Sequence, residues 1–416
     1  RMRSRTSCAH TAIGASGQPS DGIYRGGSRT SSWTRQSWET SRSTGLGPGS
    51  TWFPDSGEGC WPRTGTSSSP HICIGVPAPT MVLLMMAVIM DRDRISALSA
   101  ETGFPPGPLE KVIRLGEVAA SVARHPLLSR VLALKGGTAL NLFGGPPPRL
   151  SVDLDFNYIG TLDREAMLRA RPDVERAVEA FAGELKYEIQ RSRDEFAGRK
   201  LFLNYVSVSG SPDRIEIDLN FLQRLPLAPP RRATMWQPGD LGRPEVQLCG
   251  LPEIAAGKIC ALLDRCKPRD MFDVIRLPEA GASFWSSEFF KKLVIAFTGT
   301  LDHPLHAYGR DRMERVRGID IEAELVPMLG GQTKIDRVDL IGHAWKAVER
   351  LLVLDESERE FVDRLQVGDL RLDLLVPEDA ELRERLGKWP PLQWKVLNAR
   401  KSRPAPRRDP GAAGDP

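Results

Sequence analysis

Apolar and polar residues alternate strictly over residues 214–221: Ile215, Ile217, Leu219 and Phe221 fall on one side, Glu216, Asp218 and Asn220 on the other. A period of two predicts a strand with one buried face. Residues 152–156 repeat the pattern, with Val152, Leu154 and Phe156 turned inward and Asp153 and Asp155 outward. Further strands are expected over the apolar run 131–134, over 187–190 and over 201–208, with a turn at 209–213. Residues 108–125 instead set Leu109, Val112, Ile113, Leu115, Val118, Ala119 and Val122 at helical spacing, and 161–185 read as a charged helix. From Leu251 almost to Trp394 the pattern is helical. The sum is an α+β chain, a small mixed sheet carrying acids over 91–245 and a helical half over 246–399.

The acids give the pattern a chemistry. Carboxylates two apart on a strand share a face, and Asp218 can join Asp153 and Asp155 from a neighbouring strand, although Glu216 and Asn220 share its side. Clustered like charges cost free energy unless a cation lies among them, and Mg²⁺ characteristically takes one or two carboxylates plus substrate phosphates. Upstream, Gly136-Gly137-Thr138 sits between the first strand and a short apolar helix, where backbone N–H groups can cradle a phosphate. Three carboxylates and such a turn suit metal-assisted nucleotidyl transfer, with Asp218 as base or third ligand.

Lys258 and Arg265 fall on one face of a later helix, either as a surface stripe partnered by Glu253 and Asp264 or as ligands for nucleotide phosphates, which Arg265 and Arg269 can hold bidentately. Asp270 and Asp273 lie one helical turn apart, the first expected to cap its helix beside Pro268. Arg149 is expected to pair with an acid of the aspartate strand, and Lys135 to support the turn. The run Gly144-Gly145-Pro146-Pro147-Pro148 lengthens the link from turn to acids and reads as an insertion or a lid. Six scattered histidines make His-based acid–base chemistry a poor fit.

At this point the chain resembles the AbiEii/AbiGii family of nucleotidyltransferase toxins, the toxin half of type IV abortive-infection toxin–antitoxin systems. The resemblance rests on the Gly-Gly turn, on Arg149-x-Ser151-x-Asp153-Leu154-Asp155, on the Asp218 strand, on Lys258 through Arg265 to Asp270 and Asp273, and on Pro390-Pro391-Leu392-Gln393-Trp394-Lys395. It implies a polymerase β-like nucleotidyltransferase fold with Asp153, Asp155 and Asp218 as metal ligands. It implies a triphosphate on Gly136, Gly137 and Thr138 assisted by Lys258 and Arg265, and a last catalytic aspartate at Asp273. The implied activity moves an NMP group from an NTP, with Mg²⁺, to a hydroxyl of RNA such as a tRNA end, the toxin being neutralised by a cognate antitoxin. The same site would serve a small molecule or a protein side chain equally well; the other alternative is a non-catalytic interaction protein on the same fold, against which the intact acids Asp153, Asp155 and Asp218 argue.

Composition limits the picture. Of 416 residues, the first 80 or so are crowded with Ser, Gly, Thr, Arg and Pro and contain no Lys. Such a segment buries too little aliphatic surface to fold, so residues 1–90 are expected to be a disordered or non-native extension, with Met81, Met85, Met86 and Met90 as candidate starts. The apolar run 81–90 is too short to span a bilayer, which needs about twenty residues, and cytoplasmic residence follows. A Pro-rich tail from Arg400 is expected to be disordered. No C-x-x-C pair occurs, so Cys249, Cys260 and Cys266 are expected to be reduced, buried thiols. A net charge of +4 is compatible with nucleotide or RNA partners without arguing for them.

Overall fold

The computed structural model describes residues 90–193, 197–331 and 333–402. The expected extension before Met90 and the tail past Ser402 lie outside the described residues.

The alternating segments assemble into one mixed sheet. Its strands are β1 (Leu132–Lys135), β2 (Asp153–Tyr158), β3 (Glu188–Arg191), β4 (Gly198–Val206), β5 (Pro212–Asn220), β6 (Arg231–Thr234) and β7 (Glu245–Leu248), in the order β3-β4-β5-β2-β1-β7-β6. β2 is parallel to β5 and β1 to β7, and the other pairs are antiparallel. β6 and β7 were not anticipated. They carry the sheet to Leu248, past the point where the helical half was expected to begin.

Helices α1 (Arg92–Thr102), α2 (Pro106–Arg124) and α3 (Leu128–Val131) precede β1, while α4 (Gly136–Asn141) follows it and α5 (Arg164–Glu184) follows β2. One buried cluster joins Leu109, Val112 and Val118 of α2 and Val174 and Val178 of α5 to Leu154, Phe156, Ile215, Ile217 and Leu219 of the sheet. With that face covered by apolar side chains, the acids of β2 and β5 are left on the other. The period-two pattern decides this: a shift of one residue would send the carboxylates into the core.

α6 (Leu251–Arg265) opens the helical half, which continues through α7 (Pro268–Ala280) and α8 (Glu288–Thr298) to the last helix, Pro390–Lys401. A second buried cluster runs there from Ala255 to Val396. Cys266 ends α6 with a left-handed φ of 49°, which reverses the chain so that Pro268 can start α7 at once. That break brings the two charged helix faces together. Cys249 is a buried free thiol, but Cys260 and Cys266 are only half-buried. Among the described residues no helix is long and apolar enough to cross a membrane.

Candidate active site

Strand register builds a row of charges. Asp155 pairs with Lys135 on one side and Asp218 on the other, and Asp218 pairs in turn with Lys200 of β4. Cross-strand partners share a face, so Lys135, Asp155, Asp218 and Lys200 lie side by side across four strands. Two residues earlier, Asp153 pairs with Glu216. The acids therefore form a patch two strands wide with a lysine on either flank. Lys200 hydrogen-bonds Glu216 and lies 3.7 Å from Asp218. Asn220 is occupied elsewhere, its Oδ1 accepting from the N–H groups of Leu222 and Gln223 at 2.8 and 2.9 Å.

The carboxylates of this patch are poorly compensated. Burial, then Asp155 and Glu216, push the Asp153 carboxyl up to about 6. Burial also holds Asp218 above the ordinary carboxylate range, with Asp155 adding to the effect while Lys135 and Lys200 oppose it. The chemistry of such a set of oxygen donors fits a divalent cation. Among the described residues no three His, Cys, Asp or Glu side chains are grouped so as to hold a metal unaided. The patch fits an ion that brings substrate oxygens with it.

The glycine turn presses against the acids. Gly136 has φ 75°, and a Cβ there would meet Asp155 Oδ2 at 2.2 Å, so only glycine allows both the left-handed backbone and the close approach. Thr138, fully buried, donates its hydroxyl to the Asp153 carbonyl and so ties α4 to β2. A Cβ on Gly137 would lie 2.9 Å from Ser151 Oγ, 3.0 Å from Arg149 Nη2 and 3.5 Å from Lys258 Nζ. The turn is thus wedged between the acidic face and a second group of charges.

That second group differs from the pairings read in the sequence. Lys258 is 7% exposed, not part of a surface stripe, and its ammonium lies 2.8 Å from Asp273 and 3.2 Å from Asp270. Arg265 is bidentate on Asp270, with contacts of 2.6 and 3.0 Å, rather than paired with Asp264. Asp270 does not cap α7; it is buried in the helix's first turn between Lys258 and Arg265. Arg149, 2% exposed, pairs with Asp273 through two bonds of 2.6 and 2.7 Å instead of with an acid of β2. Asn141 Nδ2 links Asp273 to the Gly137 carbonyl at 3.0 and 2.9 Å. Glu253 lies apart, accepting from the Leu227 N–H.

Burial would raise both α7 carboxyls, but Lys258 with Arg265 outweighs it at Asp270 and Lys258 with Arg149 at Asp273, so both lie below the usual range. Three cations meet two carboxylates here, leaving one net positive charge next to Gly137. One more cation belongs to the site. Arg269 is half-buried and has no ion pair or hydrogen bond among the described residues, yet its charge acts on Asp153. Arg265 and Arg269 are both read from the sequence as bidentate phosphate ligands; the structure leaves Arg269 for that role and commits Arg265 to Asp270.

The family profile described as "Nucleotidyl transferase AbiEii toxin, Type IV TA system" matches residues 120–339, which include β1 to β7, the glycine turn, the acidic patch and the buried cluster. Among solved structures the chain is similar to MenT4, a nucleotidyltransferase toxin from Mycobacterium tuberculosis. That likeness has 16% identity and a TM-score of 0.47, covering 72% of this chain and 98% of the other. Comparison with curated proteins finds no match. With more than half of its length matched to one family, the chain belongs to the AbiEii nucleotidyltransferase toxins of type IV toxin–antitoxin systems.

Proposed function

We propose that this toxin transfers the NMP group of an NTP to a hydroxyl of an RNA acceptor, such as a tRNA end, in a Mg²⁺-dependent reaction that releases pyrophosphate. Family membership implies a nucleotide substrate and an antitoxin partner. The observation that supports the reaction is how closely the Gly136 turn approaches the acids: a Cβ there would meet Asp155 Oδ2 at 2.2 Å, so a phosphate held at the turn would lie beside the carboxylates that would hold the metal.

In this reading Asp153 and Asp155 would hold Mg²⁺, which would supply charge neutralisation at the phosphates. The first backbone N–H groups of α4 have no intrahelical acceptors and bind phosphate oxygens. Lys258 adds the excess positive charge of the buried cluster beneath them. Arg269, free of carboxylate partners, takes the outer phosphates, where a guanidinium can bind two oxygens at once. Asp218, with its raised proton affinity, accepts the proton of the attacking hydroxyl. Asp273 touches none of the reacting groups in this scheme. It holds Lys258 and Arg149 in place, a positioning role.

The test is to incubate the protein with each labelled NTP, total RNA and Mg²⁺, and to follow label into RNA. The expected result is label from one or more NTPs in a discrete RNA, lost on chelation of Mg²⁺. Label that appears only in protein or in a small molecule would overturn the acceptor assignment.

A further inference from the structure

β6 is an outer strand of the sheet, paired among the described residues only with β7. Beside it lies a cavity of about 350 Å³ whose walls include Phe143, Gly144 and Gly145 on one side and Arg231, Trp236 and Arg243 on the other. Its charges are of one sign. Arg231 and Arg243 are both exposed, neither has an ion pair or hydrogen bond among the described residues, and no carboxylate lines the walls. Other exposed arginines, such as Arg169, Arg276 and Arg359, also lack an ion pair among the described residues, so what sets Arg231 and Arg243 apart is that both line the same cavity. Two guanidinium groups at one cavity, neither paired among the described residues, have the geometry to hold an anion between them.

The remaining walls narrow the class of anion. Gly144 and Gly145 adopt φ of 133° and 124°, and a Cβ on either would meet nothing within 4 Å, so bare backbone faces open space. Trp236 is half-buried, its indole edge-on to Phe104 with ring centroids 6.2 Å apart. An indole beside arginines suits a planar base attached to a phosphate, since stacking on an aromatic ring tolerates any base. The position agrees. The backbone N–H of Trp236 donates to the carbonyl of Leu142, where α4 ends, so one short helix connects this cavity to the Gly136–Gly137 turn. β6 lies three strand positions from β2, roughly 14 Å at the usual strand spacing. A nucleic-acid strand whose end is at the acidic face can reach that far.

We propose that the cavity between residues 143–145 and β6 is a second nucleotide-phosphate site, with Arg231 and Arg243 on the phosphate and Trp236 against the base. The existence of the site is independent of the nucleotidyl-transfer reading; its use as a holding site for the acceptor strand rests on that reading. The ligand chemistry, a phosphate ester on a nucleoside, has two sources: a strand's phosphodiester or a free nucleotide.

The experiment compares the full chain with the Arg231→Gln/Arg243→Gln double variant. Binding of a labelled single-stranded oligoribonucleotide, of adenosine monophosphate and of an acidic peptide is measured over a range of salt, and NTP binding is followed separately by thermal shift. Both arginines are exposed, so the variant should fold with an unchanged Tm. The expected result is at least tenfold weaker oligoribonucleotide binding and a salt slope lower by about 1.4, for two lost contacts to a single strand, with the NTP shift intact. Weakening confined to the oligoribonucleotide identifies the phosphodiester as the source, and weakening that extends to adenosine monophosphate identifies the free nucleotide. Oligoribonucleotide and nucleotide binding that are both unchanged in the variant, or a cavity that prefers the acidic peptide, would overturn the proposal. An NTP shift absent from wild type would count against the nucleotidyl-transfer reading and leave this site standing.

Discussion

Asp153, Asp155 and Asp218 on the sheet and Asp270 and Asp273 on α7 are the same functional group in opposed settings, separated by one glycine turn. On the sheet, acids outnumber nearby cations and burial raises the proton affinity of Asp153 and Asp218. On α7, burial is more complete, yet Lys258, Arg265 and Arg149 overcome it and lower the proton affinity. Burial alone therefore does not set the state of a carboxyl; the count of opposite charges does. A carboxylate left short of cations is available to a metal and its substrate. One enclosed by them is committed to the fold. The difference gives separate expectations for stability and for chemistry at each set of acids.

The largest effect on the fold is expected from breaking the enclosed set. Asp273→Ala leaves Arg149 and Lys258 buried with one acceptor fewer, a loss of roughly 3 to 5 kcal/mol. Urea unfolding would read it, and a cost below about 1 kcal/mol would show that the cluster is not a unit. Lys258→Ala should be nearly as costly, so its kinetics alone cannot report on phosphate binding.

Glu253 sharpens the comparison because it is a buried acid with no ion pair among the described residues, Arg385 acting on it only weakly against burial. It is 9% exposed, accepts from the Leu227 N–H at 2.8 Å, and burial pushes it up to about 7. A carboxyl whose folded value is raised takes up a proton on folding. Its favourable contribution is complete below about 4.5 and disappears as pH rises through about 7. Glu253→Gln should therefore flatten the fall of stability over that window and at higher pH stabilise by about 2 to 3 kcal/mol. Equal pH slopes for variant and wild type in chemical unfolding would contradict it.

A smaller effect tests Arg269. Arg269→Gln should raise KM for the NTP about tenfold, with little change in stability, because Arg269 forms no ion pair or hydrogen bond among the described residues and acts on Asp153 only through its charge. An unchanged KM would remove Arg269 from the phosphate site.

How far these features were legible in the sequence follows from their range. Period-two alternation in β2 and β5 put Asp153, Asp155 and Asp218 on one side, since strand geometry is local and strict. β6 and β7 are four residues each, with polar residues among prolines at 229, 230 and 244, too short for a period to show. The enclosed set was half legible. Lys258 and Arg265 at i and i+7 define a basic face, and Asp270 and Asp273 at i and i+3 an acidic one on the next helix. Their meeting depends on the left-handed break at Cys266, a residue type that gives no hint of that conformation. The pairing of Arg149 with Asp273 joins residues 124 positions apart and has no local signature.

The central claim is that the sheet acids perform the chemistry while the α7 acids hold the site together. It is tested most directly by Asp155→Asn, with melting temperature in metal-free buffer measured on the same preparation as kcat/KM for transfer of labelled NMP to RNA. The account predicts a Tm equal to or above wild type, because one repelling charge is gone, together with a loss of transfer of roughly a thousandfold or more. Transfer retained within tenfold, or lost only in step with a fall in Tm, would contradict it.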